Sequence, residues 1–370
     1  MVDTRYWIAF NRVPGIGAAK LRALIDQCGS PEAAWRADES EWKAAGLDRR
    51  AIGNLLAARD RLDLDAELKR VSACGARVLT WEDADYPPLL RSIPDAPPLL
   101  YIKGQLTQAD AQWAVAMVGT RRATVYGRQA AIALAGDLAR NGVTIVSGLA
   151  RGIDAAAHTA ALKAGGRTIG VMACGIDQVY PAEHARLAAQ IFEHGALLTE
   201  APIGAPPEAG NFPARNRIIS GLALAAIIVE AGEQSGALIT ADRALEQGRE
   251  VFAVPGSIFS RASAGTNRLI AEGATLVRSA EDVLEALNLT MIVQQAEAQT
   301  AISADPIEAS MLNALSHEPM HIDDLMRTLD MPIAQVSSAL AMMELKGLVR
   351  QAGGMTYVLA REGRAEYVVD

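Results

Sequence analysis

Four short segments of this sequence combine glycine with hydroxyl or basic side chains. They are residues 118–127 (VGTRRATVYG), 147–154 (SGLARGID), 210–217 (GNFPARNR) and 235–240 (SGALIT). Three of them lie at predicted helix starts, where free backbone N–H groups and the helix dipole attract anions. One such loop is weak evidence. Their recurrence on one side of a single sheet favours a site for several phosphates over a site for one small molecule.

The first segment has the composition of a phosphate cradle. Gly119 would allow close backbone approach, and Thr120, Arg121 and Arg122 would supply a hydroxyl and positive charge beside a helix N-terminus. The segment is not a GxGxxG fingerprint and has no Walker lysine. It therefore implies neither NAD nor a nucleoside triphosphate, and no cofactor is expected.

A hydrolase triad is the first enzymatic alternative. Asp154 and His158 lie four residues apart on one predicted helix, and Ser147 precedes them. The sequence has no GxSxG nucleophile elbow. We interpret Asp154 as a buried or capping residue and His158 as packed in the core. Cys174 has no base partner and is interpreted as a small core residue.

The elements that must position these loops follow an alternating pattern from residue 113 onward. Short apolar runs predict strands at 115–118, 144–147, 168–173, 197–199, 226–230, 250–254 and 275–277. Helical patterns separate them, near 126–140, 153–164, 183–194, 214–223, 237–247, 265–272 and 280–287. Apolar strands joined by helices predict an α/β fold, a Rossmann-like doubly wound parallel sheet, with ligands at the carboxyl ends of the strands.

The N-terminal part, residues 1–75, is predicted to be a helical domain. The turn at residues 13–17 (VPGIG) resembles a helix-hairpin-helix or SAM-like element, in which glycines let backbone approach a DNA phosphate. A degenerate second copy lies at residues 44–47. A purely structural hairpin is about equally favoured, because the loop contains no basic residue. A short strand at 77–80 and a proline-rich connector at 86–98 lead into the α/β domain, assigned to residues 76–288.

The C-terminal part begins after a predicted linker at residues 289–304. Residues 305–370 predict three helices and a hairpin, the pattern of a winged helix. Between 305 and 360 only Arg327, Lys346 and Arg350 are basic, against seven acidic residues. An acidic surface repels DNA, so protein contact or regulation is favoured over DNA binding for this domain.

The net charge of −8 is concentrated in the same part of the chain. Residues 1–112 and 113–290 each carry 15 basic and 16 acidic groups, whereas residues 291–370 carry 5 and 11. In the central region every basic residue except Lys163 is arginine, which favours a phosphate-bearing ligand or, equally, reflects the codon preference of a GC-rich genome. Three scattered cysteines and the absence of a signal peptide or an apolar run of about 18 residues predict a cytoplasmic protein without a membrane span.

The four segments, in this order, resemble the DNA-processing protein A family. The resemblance rests on GTR at 119–121, SGLARGIDAAAH at 147–158, YP at 180–181, FPARNRII at 212–219, SGALIT at 235–240 and VPG at 254–256. It covers about residues 86–288. It implies a dimeric, cofactor-independent protein that binds single-stranded DNA, loads the RecA recombinase on it and protects incoming strands in natural transformation.

The resemblance also implies which residues form the DNA site. Gly119, Thr120 and Arg121 would hold phosphate, with Arg122 beside them. Phe212 would stack on a base unless it is a core residue, and Asn216 would bond to the loop backbone. The same positively charged pocket would be lined by Ser147, Gly148, Phe212, Arg215, Asn216 and Arg217. After Tyr180-Pro181 the family has Asn and often a basic residue, whereas this sequence has Ala182-Glu183-His184, which predicts a weaker rim there unless Arg186 substitutes.

Two further functions remain as alternatives. Nucleoside-phosphate hydrolases of the lysine-decarboxylase-like group share the layout, but their loop carries a catalytic Glu that does not follow Gly265-Thr266-Asn267 here. A winged-helix transcription regulator is disfavoured by the acidic recognition helix at about 332–347. We therefore expect a non-enzymatic mediator of recombination.

Overall fold

The computed structural model describes residues 3–289, 307, 310–311, 314–315, 320–329, 331–345 and 349–359. These residues fall into two compact units, one up to Leu289 and one after it. Most of the predicted linker at 289–304 lies outside the described residues, as does Lys346. No helix in the described part of the chain is long and apolar enough to span a membrane.

The first unit begins with six helices. They are α1 (Thr4–Asn11), α2 (Ala18–Cys28), α3 (Pro31–Arg36), α4 (Glu39–Ala44), α5 (Arg49–Arg61) and α6 (Leu64–Ala73). All except α2 begin after an Asp or Ser whose side chain accepts a hydrogen bond from a first-turn N–H group. At the proposed second hairpin this acceptor is Asp48, so a carboxylate already occupies the N-terminus of α5. The N-terminus of α2 follows Gly17 and has no side-chain cap.

Within residues 3–289 a nine-stranded sheet follows. Its strands are β1 (Arg77–Thr80), β2 (Leu99–Gly104), β3 (Ala114–Val118), β4 (Thr144–Ser147), β5 (Thr168–Val171), β6 (Ala196–Thr199), β7 (Ala225–Ile228), β8 (Glu250–Ala253) and β9 (Thr275–Leu276). The spatial order is β1-β2-β6-β5-β4-β3-β7-β8-β9. Strands β3 to β9 are parallel, which confirms the predicted doubly wound α/β fold. The edge pair β1 and β2 is antiparallel, and the sequence analysis missed β2.

Helices cover both faces of the sheet because its strands are apolar on both sides. They are α7 (Pro88–Arg91), α8 (Gln108–Gln112), α9 (Val125–Arg140), α10 (Ile153–Lys163), α11 (Ala185–His194), α12 (Asn211–Gly221), α13 (Gly236–Glu246), α14 (Ala264–Ala271) and α15 (Ala280–Ala286). All five residues of β3 are buried. One hydrophobic cluster joins the N-terminal helices to the sheet, since Trp7 and Leu55 belong to it together with Tyr101 and Ile191.

The described part of the second unit has a small three-stranded sheet and two helices. They are β10 (Met320–His321), α16 (Ile322–Leu329), α17 (Ile333–Leu345), β11 (Val349–Gly353) and β12 (Thr356–Leu359), with the strands in the order β10-β12-β11. Leu325, Leu340 and Met343 are among the residues of its core. Helices followed by a β-hairpin form the predicted winged helix.

Candidate nucleic-acid interface

The centre of the sheet is the point at which its strand order reverses. Strand β3 pairs with β4 on one side and with β7 on the other, so the loops that leave β3 and β7 diverge and open a crevice at the carboxyl edge. A cavity of about 320 Å³, here called the switch-point cavity, lies there. It is lined by Val118, Gly119, Thr120, Arg121, Arg122, Ala150, Asp154, Phe212, Pro213, Arg215, Asn216, Ile219, Ser235, Gly236, Ala237, Ile239 and Thr240. The structure therefore brings together seven of the ten residues proposed from the sequence.

An arginine and an aromatic ring line one wall of this cavity, and a second aromatic ring lies next to them. The Arg121 guanidinium lies over the Phe212 ring, 4.7 Å from its centroid. The Tyr180 ring follows at 5.8 Å from Phe212, tilted by 55°. Arg121 and Arg122 are exposed and form no ion pair with any residue that the structure describes. Unpaired cations beside an accessible aromatic face can attract a phosphate and stack a base.

A buried arginine forms the floor. Arg215 is 5% exposed, and its Nη1 donates to the carbonyl of Val171 at 2.7 Å. Its Nε is buried and has no hydrogen-bond partner among the described residues. Burial lowers the pKa of Arg215 to about 10, while the negative charge of Asp154 acts in the opposite direction. A guanidinium that lines the cavity and keeps an unpaired donor can bind an anion.

Gly148 is required by this arginine rather than by a ligand. A Cβ atom at Gly148 would overlap the Arg215 guanidinium. The backbone N–H of Gly148 donates to Asp154 Oδ2 at 3.1 Å, and the N–H of Ala150 donates to the same oxygen at 3.3 Å. Burial raises the pKa of Asp154, against the positive charge of Arg215. Asp154 is thus buried, as expected from the sequence, but it bonds to the loop before α10 and does not cap that helix, whose N-cap residue is Gly152.

Ser147 and His158 do not form a catalytic arrangement. The Ser147 hydroxyl is buried and donates to the carbonyl of Met117 at 2.6 Å. The Nδ1 of His158 lies 2.6 Å from the Thr168 hydroxyl, which itself donates to the carbonyl of Ile145. Burial lowers the pKa of His158 to about 3, so this side chain is neutral at physiological pH. Ser147 therefore does not line the cavity, because its side chain is buried between neighbouring strands of the sheet.

The loop after β3 differs from the phosphate cradle that the sequence suggested. The carboxylate of Glu230 accepts from the backbone N–H of Thr124 at 2.8 Å and from its hydroxyl at 2.6 Å, at the N-terminus of α9. A Cβ at Gly119 would collide with Ile153 and with the carbonyl of Glu230. The dipole of α9 is thus already neutralised by Glu230, and Gly119 serves close packing. The charge offered to an anion here comes from the arginine side chains.

Two other helix N-termini open on the cavity instead. The residue before α12 is Gly210, which provides no side-chain cap, and the first turn of α12 contributes Phe212 and Pro213. The first turn of α13 contributes Gly236 and Ala237. Asn216 links the two helices by donating its Nδ2 to the carbonyl of Gly236 at 3.3 Å. It has the backbone-bonding role expected from the sequence.

Arg217 lies outside the switch-point cavity, contrary to the sequence analysis. Successive residues of an α-helix turn by about 100°, so positions 215 and 217 face different sides of α12. Arg217 pairs with Glu200 at 2.7 Å and with Asp95 at 3.1 Å. Burial acts to lower the pKa of Arg217, but the two carboxylates more than offset it and the pKa is raised.

Arg217 lines a second cavity of about 280 Å³ between the N-terminal helices and the sheet, here called the inter-helix cavity. Its walls include Trp7 and Phe10 of α1 and Leu21 of α2. Helix α12 separates it from the switch-point cavity, and Arg215 contributes to both.

Residues 182–186, the predicted rim, are bonded to the loop that follows β4. Glu183 forms an exposed ion pair with Arg151 at 2.7 Å. The Nδ1 of His184 lies 2.8 Å from the carbonyl of Leu149. Arg151 neutralises Glu183, whereas Arg186 is exposed and forms no ion pair with a described residue, so Arg186 is the charge that this segment offers.

Comparisons with known proteins agree with this geometry. The family model described as DNA recombination-mediator protein A matches residues 77–288, and the model described as DprA winged helix domain matches residues 295–355. Protein Smf of Synechocystis is 34% identical over 391 aligned residues, which cover 96% of this chain and 98% of that protein. The DNA processing protein DprA of Bacillus subtilis is 47% identical over 213 residues, which cover 58% of this chain and 72% of that protein.

Two solved structures are also similar. DNA processing protein A of Streptococcus pneumoniae aligns with a TM-score of 0.67 and 36% identity, over 77% of this chain and 98% of that chain. The Helicobacter pylori protein, whose structure concerns its single-stranded DNA binding mode, aligns with a TM-score of 0.52 and 32% identity, over 58% of this chain and 97% of that chain. The family model covers more than half of the sequence, and the alignment with the Synechocystis protein covers 96% of it. This chain belongs to the DNA recombination-mediator protein A family, known as DprA or Smf.

Proposed function

We propose that this protein binds single-stranded DNA in the switch-point cavity and loads RecA on it, as a dimeric, non-enzymatic mediator in the cytoplasm. The observation that carries the proposal is the grouping of Arg121, Arg122 and the buried Arg215 around the half-buried ring of Phe212. Arginines bind phosphate and the ring stacks on a base, and neither interaction reads sequence. Low sequence specificity is therefore expected, in natural transformation or in general recombination.

The chemistry of the site supports binding rather than catalysis. Ser147 and His158 are each bonded to core groups and do not meet. The position at which the hydrolase alternative needs its acid, two residues after Gly265-Thr266-Asn267, is Leu269, which is buried in the core. The transcription-regulator alternative depends on a basic recognition helix. In the described part of α17, Glu344 is the charged residue.

Fluorescence-anisotropy titrations of labelled single- and double-stranded oligonucleotides across a salt series test the proposal. We expect salt-sensitive binding that favours single strands, followed by faster assembly of RecA filaments in the presence of the protein. Binding to duplex alone would overturn the proposal. The next experiment would then be a screen of nucleoside monophosphates for hydrolysis.

A further inference from the structure

A short loop beside the switch-point cavity exposes two large apolar side chains to solvent. Residues 255–260 follow β8, so the loop lies at the same carboxyl edge of the sheet as the cavity. Phe259 is 91% exposed and Ile258 is 84% exposed, the highest values among the large hydrophobic side chains described. Exposing an aromatic ring almost completely costs hydrophobic free energy and is typical of a binding surface.

The backbone that presents Phe259 is held by specific hydrogen bonds. The hydroxyl of Tyr126 donates to the carbonyl of Pro255 at 2.5 Å. The side chain of Asn267 accepts from the N–H of Gly256 at 3.1 Å and donates to its carbonyl at 3.0 Å. The N–H of Phe259 itself donates to the Ser257 hydroxyl at 3.3 Å. The turn that exposes the Phe259 ring is therefore held in place by hydrogen bonds.

A cavity of about 460 Å³ lies beneath this loop, here called the loop cavity. Its lining is rich in hydroxyl groups, and Glu230 belongs to it but is buried and bonded to Thr124. The lining residues are Thr124, Tyr126, Glu230, Pro255, Gly256, Ser257, Ser260 and Ser263. The Thr124 hydroxyl already donates to Glu230, whereas the Ser257 and Ser260 hydroxyls can donate to phosphate oxygens.

The loop cavity and the switch-point cavity share one segment of chain. Arg122 lines the first site and Tyr126 lines the second, only four residues further on. Their Cα atoms are therefore at most about 15 Å apart, a distance that a few nucleotides span. The surface between them is formed by exposed Arg122, Val125 and Tyr126.

The charge of this edge fits a polyanion. Arg121, Arg122 and Arg261 are exposed and form no ion pair within the described residues. Glu233 and Asp242 are the exposed acids nearest in sequence to residues 235–240, which line the switch-point cavity. The three arginines therefore outnumber these two acids.

We infer that the loop at 255–260 is a second nucleotide subsite, in which Phe259 and Tyr126 stack on bases of a single strand that leaves the switch-point cavity over Arg122. The inference rests on the proposed function and adds to it the direction in which the DNA strand runs, from the switch-point cavity toward the loop after β8. It also predicts that affinity depends on strand length. An oligonucleotide too short to reach Phe259 uses the switch-point cavity alone.

The test compares oligothymidylates of 4 and 12 nucleotides on the full-length protein. Phe259→Ala should weaken binding of the 12-mer by about fivefold or more and leave the 4-mer within twofold, because one stacked base is lost. Phe192→Ala is the matched control. Phe192 is a 40% exposed aromatic near the C-terminal end of α11, just before β6 begins and thus at the opposite edge of the sheet. Phe192→Ala should leave the affinities for the 4-mer and the 12-mer unchanged.

A second variant gives a direct readout of stacking. In Phe259→Trp the new indole should be quenched by the 12-mer and not by the 4-mer, relative to the wild-type signal. Equal 12-mer affinity in wild type and Phe259→Ala would overturn the subsite while leaving the proposed function intact. Failure of the wild type to bind either oligonucleotide would overturn both. A changed oligomeric state of Phe259→Ala in sedimentation velocity, with unchanged 12-mer affinity, would assign the loop to contact between copies of the protein instead.

Discussion

The two sides of helix α12 carry the same residue type in opposite electrostatic situations. Arg215 faces the switch-point cavity, where its Nε has no partner in the described structure. Arg217, two positions later, is held by Glu200 and Asp95. The pKa of Arg215 is lowered by burial, whereas the pKa of Arg217 is raised by its carboxylate partners. The presence of an arginine therefore does not identify an anion site; its unused hydrogen-bond donors do.

The largest effect should come from a substitution on the side of α12 where Arg217 is paired with carboxylates. Arg217→Met leaves Glu200, which is 28% exposed, without its partner. Removing one member of a largely buried ion pair is strongly destabilising, so the free energy of unfolding should fall by about 3 kcal/mol in urea titrations. Single-strand affinity should stay within about twofold. A variant of normal stability that loses DNA binding would contradict this division between the two sides.

On the cavity side, Phe212→Ala removes the ring that lies under Arg121. Loss of one base stack should weaken single-strand binding by about 1–3 kcal/mol, measured by anisotropy. Tyr180→Phe keeps the neighbouring ring and is the control, with unchanged affinity. Equal losses in both variants would mean that removing the Tyr180 hydroxyl costs as much as removing the Phe212 ring, which would contradict base stacking on Phe212.

Arg121→Ala should change the salt dependence of binding more than the stability. One lost phosphate contact lowers the slope of log K against log salt by about 0.7 for a single strand. Arg151→Ala is the matched control, since Arg151 is also exposed at this edge but paired with Glu183. Its slope should match the wild type, and an unchanged slope in Arg121→Ala would remove Arg121 from the DNA site.

The smallest effect is a pH dependence. Arg215 has a pKa lowered to about 10, so it loses its proton as the pH rises through that value and its attraction for phosphate is lost with it. Affinity for an oligodeoxyadenylate should fall about twofold between pH 8 and pH 10 beyond the decline seen in Arg215→Met. Identical pH profiles for the two proteins would show that Arg215 contributes no charge to binding.

Much of the fold could be read from the sequence because its signals are local. The seven parallel strands were predicted with their ends within two residues of the structure, since apolar runs bounded by helical patterns are unambiguous. Strand β2 was missed because residues 99–104 directly follow a proline-rich stretch and pair antiparallel with distant partners.

The site was less predictable because it depends on partners far away in the sequence. Glu230 accepts hydrogen bonds at the N-terminus of α9, although the two bonded residues are more than one hundred positions apart in the sequence. The sequence shows only that an acidic residue follows a buried strand there. The separation of Arg215 from Arg217 could have been anticipated, since two helical positions differ by about 200°. The carboxylates that pair with Arg217 could not have been anticipated from the sequence.

The hydrophobic cluster shared by the N-terminal helices and the sheet has a consequence for dissecting the protein. A chain starting at residue 76 would keep every strand, yet it would expose Tyr101, Met172 and Ile203, which the helices now cover. It would also open one wall of the inter-helix cavity and bring water to Arg217 and Glu200. The first 75 residues are thus separable as a sequence module but not as a folding unit. A shortened chain would stay soluble only if those apolar positions were redesigned for a polar surface.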